Sequence, residues 1–202
     1  MAGYIGNKAV NLSTSGADIS GTANLDIVDI DGAANFAADV TFADGADIIT
    51  ASAGTSNFRA GVNAGNSITS GGNYNVVVGD EAGTAITTGD GNVAVGFDAG
   101  KAITTSSSNT ALGYESLTAL TTGNSNTAIG YRALKTDTLG DRNVAVGNEA
   151  LSTQNFTSST DSYNVGVGYQ AGKAVTTGVK NTLIGGLAGD ALTDADFNIA
   201  IG

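Results

Sequence analysis

Several carboxylates recur at intervals of 17 residues, and carboxylate pairs are the groups that hydrolyse glycosidic bonds. The series to which they belong is Glu81, Asp98, Glu115, Arg132, Glu149 and Gln170. If each interval is one coil of a stacked chain, neighbouring carboxylates lie about as far apart as the two catalytic carboxyl groups of a retaining glycosidase, which are ~5 Å from each other. Such a row also repels itself, and Arg132 stands where it can relieve the repulsion between Glu115 and Glu149. A solvated face that holds loose cations is therefore the second interpretation.

Aromatic residues directly precede three members of this series. They are Phe97, Tyr114 and Tyr131, and Tyr169 follows later. Stacked rings can form a platform for sugar rings, and they can equally form a ladder between coils or a contact between subunits. The aromatic series is therefore a candidate glycan or partner contact.

One segment, 155–161, interrupts the regular interval with four extra residues. We predict that it forms a loop bulging from one turn. A non-repetitive protrusion on a regular shaft is a place where specificity can reside, which makes Phe156 a further candidate contact for a glycan or a partner. The alternative is that the loop has no function.

Other site chemistries are excluded by composition. The chain has no His and no Cys, so triads with a His base and zinc sites of the usual ligands are impossible. The calcium-binding nonapeptide of solenoids is absent, and no Gly-rich loop leads into a helix. We expect no cofactor, no metal and no enzymatic activity.

The net charge of −11 argues against nucleic acid and anionic membranes as partners, because phosphate contacts need Lys and Arg. No segment approaches the ~20 apolar residues of a membrane span, and the first residues lack the pattern of a secretory signal. We expect a protein that is made in a cytoplasm and is neither exported by a signal peptide nor inserted in a membrane.

The candidate residues all lie within a repeat that begins with asparagine. Its later copies start at Asn75, Asn92, Asn109, Asn126, Asn143, Asn164, Asn181 and Asn198, after a degenerate first copy at Asn57. A fixed short period is typical of a solenoid, whose units bury their apolar faces by stacking. The stacked asparagines are expected to form a hydrogen-bonded structural ladder, and a polar recognition stripe is the alternative.

Each unit is predicted to form one coil of a parallel β-solenoid. With Asn as position zero, position two is usually tiny, position three is aliphatic from the unit at Asn75 onward, and position four is Gly. We predict a strand over positions one to three, a Gly turn, and a second short strand around position eleven. The second strands would contain Ile86, Ile103, Leu120 and Val175. The aliphatic position three is expected to fill a thin core.

The first 56 residues differ from the repeats. Residues 1–22 are small and polar, and we predict an extended arm that orders against another protein. Its sizeable apolar residues, the candidate anchors of the arm, are Tyr4, Ile5, Val10 and Leu12. Residues 23–56 alternate like short strands that need burial against copies of the same segment from other chains, so we expect a β stem formed by several chains. Residues 57–202 form the shaft, and the open strand edge at its end suggests that the native chain continues.

The runs N-T-A-L-G-Y-E-S-L at 109–117 and N-T-A-I-G-Y-R-A-L at 126–134 resemble repeats of phage tail fibres and bacterial adhesins. They are similar to the head repeats of trimeric autotransporter adhesins. That resemblance implies a homotrimer of left-handed parallel β-rolls. Residues 1–56 look like the N-terminal region of marine-phage tail fibres. That resemblance implies that residues 1–22 attach to tail tube or adaptor proteins, with Tyr4, Ile5, Val10 and Leu12 as the candidate tail anchors, and that residues 23–56 form an intertwined trimeric β stem.

We therefore expect a virion protein: a homotrimeric tail fibre, attached by its N-terminal region, that projects a shaft toward the host surface. A host glycan or receptor is a possible further partner. The alternatives are the head of a bacterial trimeric adhesin and a tailspike that cleaves polysaccharide with the repeated carboxylates.

Overall fold

The structure is a computed structural model that describes residues 52–202, and this part is all-β with no helix. Its strands are β1 (Phe58–Ala60), β2 (Val76–Val78), β3 (Val93–Val95), β4 (Thr110–Leu112), β5 (Thr127–Ile129), β6 (Gly140–Asp141), β7 (Val144–Val146), β8 (Thr160–Asp161), β9 (Val165–Val167), β10 (Thr182–Ile184) and β11 (Ile199–Ile201). The predicted parallel β-solenoid with coils of about 17 residues is confirmed. The predicted arm and almost all of the predicted stem lie outside the described residues.

Nine of the strands form one parallel sheet in the order β1-β2-β3-β4-β5-β7-β9-β10-β11. Each strand pairs with the equivalent strand of the next coil without a shift in register, so Val93 lies beside Thr110 and Thr110 lies beside Thr127. Eight steps of about 4.8 Å give a stack about 38 Å long. Every position of the repeat thus becomes a column along the stack.

On each strand the residue that faces the core is at position two and not, as predicted, at position three. Ala94, Ala111 and Ala128 at position two are fully buried. Side chains alternate between the two faces of a strand, so positions one and three point away from the coil interior, and Leu112 is 43% exposed. The mostly tiny side chains at position two match a thin coil interior, and the larger aliphatic residues of position three lie outside it.

The predicted second strand is not formed. Position eleven lies in irregular backbone between a turn and a bend, although Ile86, Ile103, Leu120 and Val175 are fully buried as core residues. The coils are joined there by threonines at position twelve. In three successive coils the hydroxyl donates to the carbonyl of the equivalent threonine, at 3.0 to 3.2 Å. The apolar residues therefore indicated burial correctly and strand conformation wrongly.

The glycine at position four closes the turn after each strand. Gly113 has φ = 134°, and a Cβ at this position would lie 2.6 Å from the carbonyl oxygen of Gly130 in the next coil. Both the backbone conformation and the close approach of two coils exclude a side chain. The same geometry recurs from coil to coil, which explains why this position is always glycine.

The four-residue insertion is more ordered than the predicted bulge. Its end forms β8, which pairs in parallel with β6 of the preceding coil as a separate two-stranded sheet. Ser159 donates a hydrogen bond to Asp141 at 3.0 Å, and Arg142 forms an ion pair with Asp161. The insertion is thus fastened to the preceding coil by backbone and side-chain contacts.

Candidate functional site

The repeated carboxylates at position six lie in a row, and Lys or Arg side chains neutralise them. Glu115 contacts Arg132 at 2.8 Å and Lys135 at 2.6 Å. Glu149 contacts Lys173 at 2.7 Å and also accepts a hydrogen bond from Gln170 at 2.7 Å. The row is therefore a chain of ion pairs between coils.

The first members of the row follow the same rule. Lys101 reaches Asp98 at 3.1 Å and Glu81 at 3.6 Å, and Asn63 donates to Glu81 at 2.8 Å. Each contact joins one coil to another or ties a turn together. Arg132, expected to relieve repulsion between Glu115 and Glu149, binds Glu115, while Glu149 has its own lysine.

The pKa values of these carboxylates do not suit acid catalysis. A hydrogen bond from Asn63 lowers the pKa of Glu81, and hydrogen bonds from Lys135 and Arg132 lower the pKa of Glu115. The pKa of Glu149 is lowered by hydrogen bonds from Lys173 and Gln170. A glycosidase needs one carboxyl with a raised pKa as its general acid. The row fits a stabilising role better than hydrolysis.

A dependence of stability on pH follows from these shifts. Groups whose folded pKa lies below the ordinary value of 4.5 contribute stability that is present above that pH and lost as the pH falls through the folded pKa. We expect the melting temperature to decrease on acidification below about pH 4.5, and to decrease less in Glu115→Gln. Circular dichroism melts from pH 3 to 7 at low salt measure this. Equal pH profiles for wild type and variant would contradict it.

The three consecutive aromatic residues form a stacked ladder. The ring centroids of Phe97 and Tyr114 are 5.2 Å apart, and those of Tyr114 and Tyr131 are 5.5 Å apart, with interplanar angles of 18° and 16°. The guanidinium of Arg132 lies 4.8 Å from the centroid of Tyr131. The rings thus cover one another's faces and expose their edges, whereas a sugar platform needs exposed faces. Tyr169 is exposed but is not part of this ladder.

Phe156 does not lie at the surface. Its side chain is only 6% exposed, so its ring offers little surface to a ligand in this structure, and its contact with a glycan or partner stays a prediction. The repeat pattern gave no indication of this, because the insertion has no equivalent in other coils.

The asparagines of position zero form the inner ladder of the stack. The Oδ1 atom of Asn109 accepts hydrogen bonds from the backbone N–H and the side-chain amide of Asn126, at 2.9 and 3.2 Å. The amide of Asn109 donates in turn to Asn92 at 3.2 Å and to the carbonyl of Gly123, which closes its own coil, at 3.0 Å. Both side chains are essentially buried. This arrangement leaves no free donor or acceptor for a recognition stripe at these positions.

A second polar ladder, which the sequence reasoning missed, lies two residues before each asparagine. The backbone N–H of Asn73 donates to the carboxylate of Asp90 at 2.7 Å, and the N–H of Asp90 donates to the hydroxyl of Ser107 at 3.0 Å. The series continues through Asn124 and Asp141 at 2.8 and 2.6 Å. The detectable signal was a short side chain with an oxygen acceptor at this position in nearly every unit.

A buried polar cluster was also missed. Position eleven is aliphatic in the neighbouring coils, but Asp137 and Gln154 occupy it in the two coils beside the insertion, and both are fully buried. The Gln154 amide donates to Asp137 at 2.6 Å, and Asn164 donates to Gln154 at 2.8 Å. The N–H of Gly140 also donates to Asp137, at 3.0 Å. Burial raises the pKa of the Asp137 carboxyl.

This cluster diverts one link of the asparagine ladder. The side-chain amide of Asn164 binds Gln154, and the hydroxyl of Ser162 at the end of the insertion donates to Asn143 at 2.9 Å. Gln154 at position eleven thus accepts the hydrogen bond that the Asn164 amide would otherwise donate to the preceding ladder asparagine, Asn143. The signal in the sequence was the break in an aliphatic column directly before the extra residues.

Asp137→Asn is expected to destabilise the protein by about 1–3 kcal/mol, the cost of one buried unpaired donor. In the variant, the new side-chain NH2 group faces the NH2 group of Gln154, so two donors oppose each other. If the Gln154 amide flipped to present its oxygen, it would lose the hydrogen bond that it accepts from Asn164. Asp90→Asn is the matched control, because asparagine already occupies this ladder at Asn73 and Asn124. Denaturant unfolding of both variants measures the difference. Equal stability of the two variants would refute the assigned role of Asp137.

Within residues 52–202 no three acidic side chains come together as ligands for a metal ion. The same part of the chain contains no helix long and apolar enough to cross a membrane. Comparison of the sequence and structure with protein-family models, curated proteins and solved structures finds no match.

Proposed function

We propose that this chain is a structural and adhesive tail fibre protein of a phage, and that three copies assemble into a shaft held between the tail and the host surface. Residues 1–22 attach to tail tube or adaptor proteins, and residues 23–56 form the stem. The shaft carries receptor contacts away from the virion. Three copies acting together gain avidity from modest affinities.

The observation that carries this proposal is the uncovered outer face of the nine-stranded sheet. Positions one and three of its strands contain Val, Ile, Leu, Thr, Ala and one Phe and no charged residue, in a chain with 27 charged residues (8 + 19). Several large apolar side chains on it are more than a third exposed, including Val76, Leu112 and Ile184, and the others are partly exposed. Contiguous apolar surface of this kind is typical of an interface between protein chains.

The size of the face agrees with an association of copies. A strip about 38 Å long and about 20 Å wide, counted from the residue before each asparagine to position five, covers roughly 800 Å². This is about the area that each partner buries in a stable interface. Because the apolar columns run the whole length of the stack, parallel copies can bury them continuously.

The interior of the described coils also suits a mechanical role. Polar ladders and ion pairs connect each coil to the next, so force along the stack is shared by many hydrogen bonds. Among the carboxylates proposed for a polysaccharide-cleaving tailspike, Glu81, Glu115 and Glu149 have pKa values lowered by their hydrogen-bonding and charged partners, which favours the fibre over the enzyme.

Two measurements test the proposal. Light scattering of the purified chain is expected to give the mass of a trimer, and Leu112→Glu, which places a charge on the outer face, is expected to weaken the trimer without loss of β-structure. The exposed substitution Asn66→Ala is the control and leaves the trimer intact. Immunogold labelling of phage particles is expected to mark the tail fibres. A monomeric protein, or label on bacterial surfaces alone, would refute the tail fibre proposal.

A further inference from the structure

Two columns of side chains flank the apolar face, one beyond each end of its strands. The minus-one column, directly before each ladder asparagine, contains Tyr74, Gly91, Ser108, Ser125, Arg142, Tyr163 and Lys180. The position-five column, directly after each turn glycine, contains Asp80, Phe97, Tyr114, Tyr131, Asn148, Tyr169 and Gly186. All of these residues are exposed, and the two columns lie beyond the two ends of the strands that carry positions one and three.

The side chains in the two columns vary inversely in size from coil to coil. Where position five carries the aromatic ladder, the minus-one column carries only Gly91, Ser108 and Ser125. Where the minus-one column carries Tyr74, Arg142 or Lys180, position five carries Asp80, Asn148 or Gly186. Six of the seven coils follow this rule, and the exception has Tyr163 and Tyr169.

No contact among residues 52–202 of one copy explains the inverse relation. The two columns are separated by the length of the strand. Within each column, side chains contact the equivalent side chains of neighbouring coils. The Phe97, Tyr114 and Tyr131 rings stack on one another, while Arg142 lies 5.7 Å from the centroid of Tyr163 in its own column. A relation between side chains that do not touch in one copy points to a contact between copies.

The symmetry of a ring of parallel copies supplies that contact. Rotation about an axis parallel to the stack places the position-five column of one copy beside the minus-one column of the next copy, at the same height along the axis. An antiparallel pair would bring each column against itself and would not produce the inverse relation. The sizes therefore select parallel copies in register.

We propose that the aromatic ladder Phe97–Tyr114–Tyr131 of one copy packs over Gly91, Ser108 and Ser125 of the neighbouring copy, and that this packing fixes the axial register of the assembly. The inference rests on the proposed homotrimer for the number of copies, because the inverse relation of side-chain sizes is compatible with a parallel ring of any number of copies. The exposed ring edges project as ridges, and the small residues leave a groove for them.

The groove is not imposed by the backbone. The minus-one residue adopts a left-handed conformation in every coil, with φ = 61° at Ser108 and 58° at Tyr74, so a tyrosine is compatible with this backbone position. The backbone conformation therefore does not require small residues at Gly91, Ser108 and Ser125. Their small size fits a requirement for space beside the aromatic ladder of the neighbouring copy.

Cysteine pairs test the register directly, because the chain has no cysteine of its own. A disulfide forms only when the two Cα atoms lie within about 7 Å. Ser108→Cys combined with Tyr114→Cys joins positions of the same coil, and Ser108→Cys combined with Tyr131→Cys joins positions one coil apart. After mild oxidation of the full chain, a covalent trimer is expected on a non-reducing gel from the same-coil pair and not from the offset pair.

The other outcomes separate the two proposals. A protein that is trimeric by light scattering but is cross-linked only by the offset pair, or by neither pair, overturns the register while the trimer stands. A monomeric protein overturns the trimer and the register together. A covalent dimer from the same-coil pair, in a protein that has the mass of a dimer by light scattering, supports the contact between the two columns in a ring of two and overturns the trimer.

A size exchange provides the second test. Ser108→Tyr fills the groove opposite Tyr114 and is expected to lower the melting temperature of the assembly, and Tyr114→Ser is expected to lower it by removing the ridge. The double variant restores both ridge and groove with the columns exchanged, so its melting temperature is expected to lie above that of either single variant. A double variant that shows the sum of the two losses would overturn the inference.

Discussion

Gly113→Ala is expected to disrupt the solenoid, with a loss of about 3 kcal/mol or more in the free energy of unfolding. The residue has φ = 134°, which side-chain-bearing residues rarely adopt, and the new Cβ would lie 2.6 Å from the Gly130 carbonyl oxygen. That oxygen belongs to the backbone of the adjoining coil, so relief requires the two coils to separate. Because each coil is stabilised only through its neighbours, the damage is expected to spread along the stack.

Gly91→Ala is the matched control for this substitution. Gly91 also has a positive φ, at 63°, but a Cβ there would meet no atom within 4 Å, and serines take this conformation in the next two coils. We expect a change of about 1 kcal/mol or less. Thermal melts followed by circular dichroism compare the two variants. Similar melting temperatures would show that close approach of the coils is not what requires glycine at position four.

The sequence was sufficient to predict the architecture because the repeat reports a single coil many times. An asparagine, a tiny residue, an aliphatic residue and a glycine at constant spacing left one consistent interpretation, a parallel stack. The side of the strand that faces inward was not determined in this way. Ala94 and Val95 are both apolar, so alternation alone could not decide between them, and the larger residue was wrongly assigned to the core.

Residues outside the repeat rule were harder to predict for a physical reason. Asp137 and Gln154 are buried in positions that are aliphatic elsewhere, and Phe156 is buried in an insertion without an equivalent coil. Their placement depends on contacts between coils and an inserted segment, and a periodic pattern carries no information about such contacts. The aromatic and carboxylate columns were identified correctly as columns. Only the geometry of their contacts favoured ladders over ligand sites.

Asn109→Ala is expected to be the most damaging change to a side chain, with a loss of about 2–5 kcal/mol, because it leaves buried groups of Asn126 and Gly123 without their partners. The Asn126 backbone N–H and amide lose the Oδ1 atom that accepts them at 2.9 and 3.2 Å, and the Gly123 carbonyl loses a donor at 3.0 Å. Asn66→Ala, at an exposed asparagine, is the control and is expected to change stability by less than about 0.5 kcal/mol. Denaturant unfolding measures both variants.

Asn109→Asp separates the two functions of the ladder amide. The carboxylate can still accept from Asn126, but it faces the Gly123 carbonyl and the Asn92 oxygen without a proton to donate. Its folded pKa is therefore expected to be raised, so that protonation on acidification restores a donor and the variant loses less stability at low pH than at pH 7. The wild type is expected to respond in the opposite direction because of its ion-paired carboxylates. If Asn109→Asp and Asn109→Ala were equally stable at every pH, the donor half of the ladder would contribute nothing to the stack.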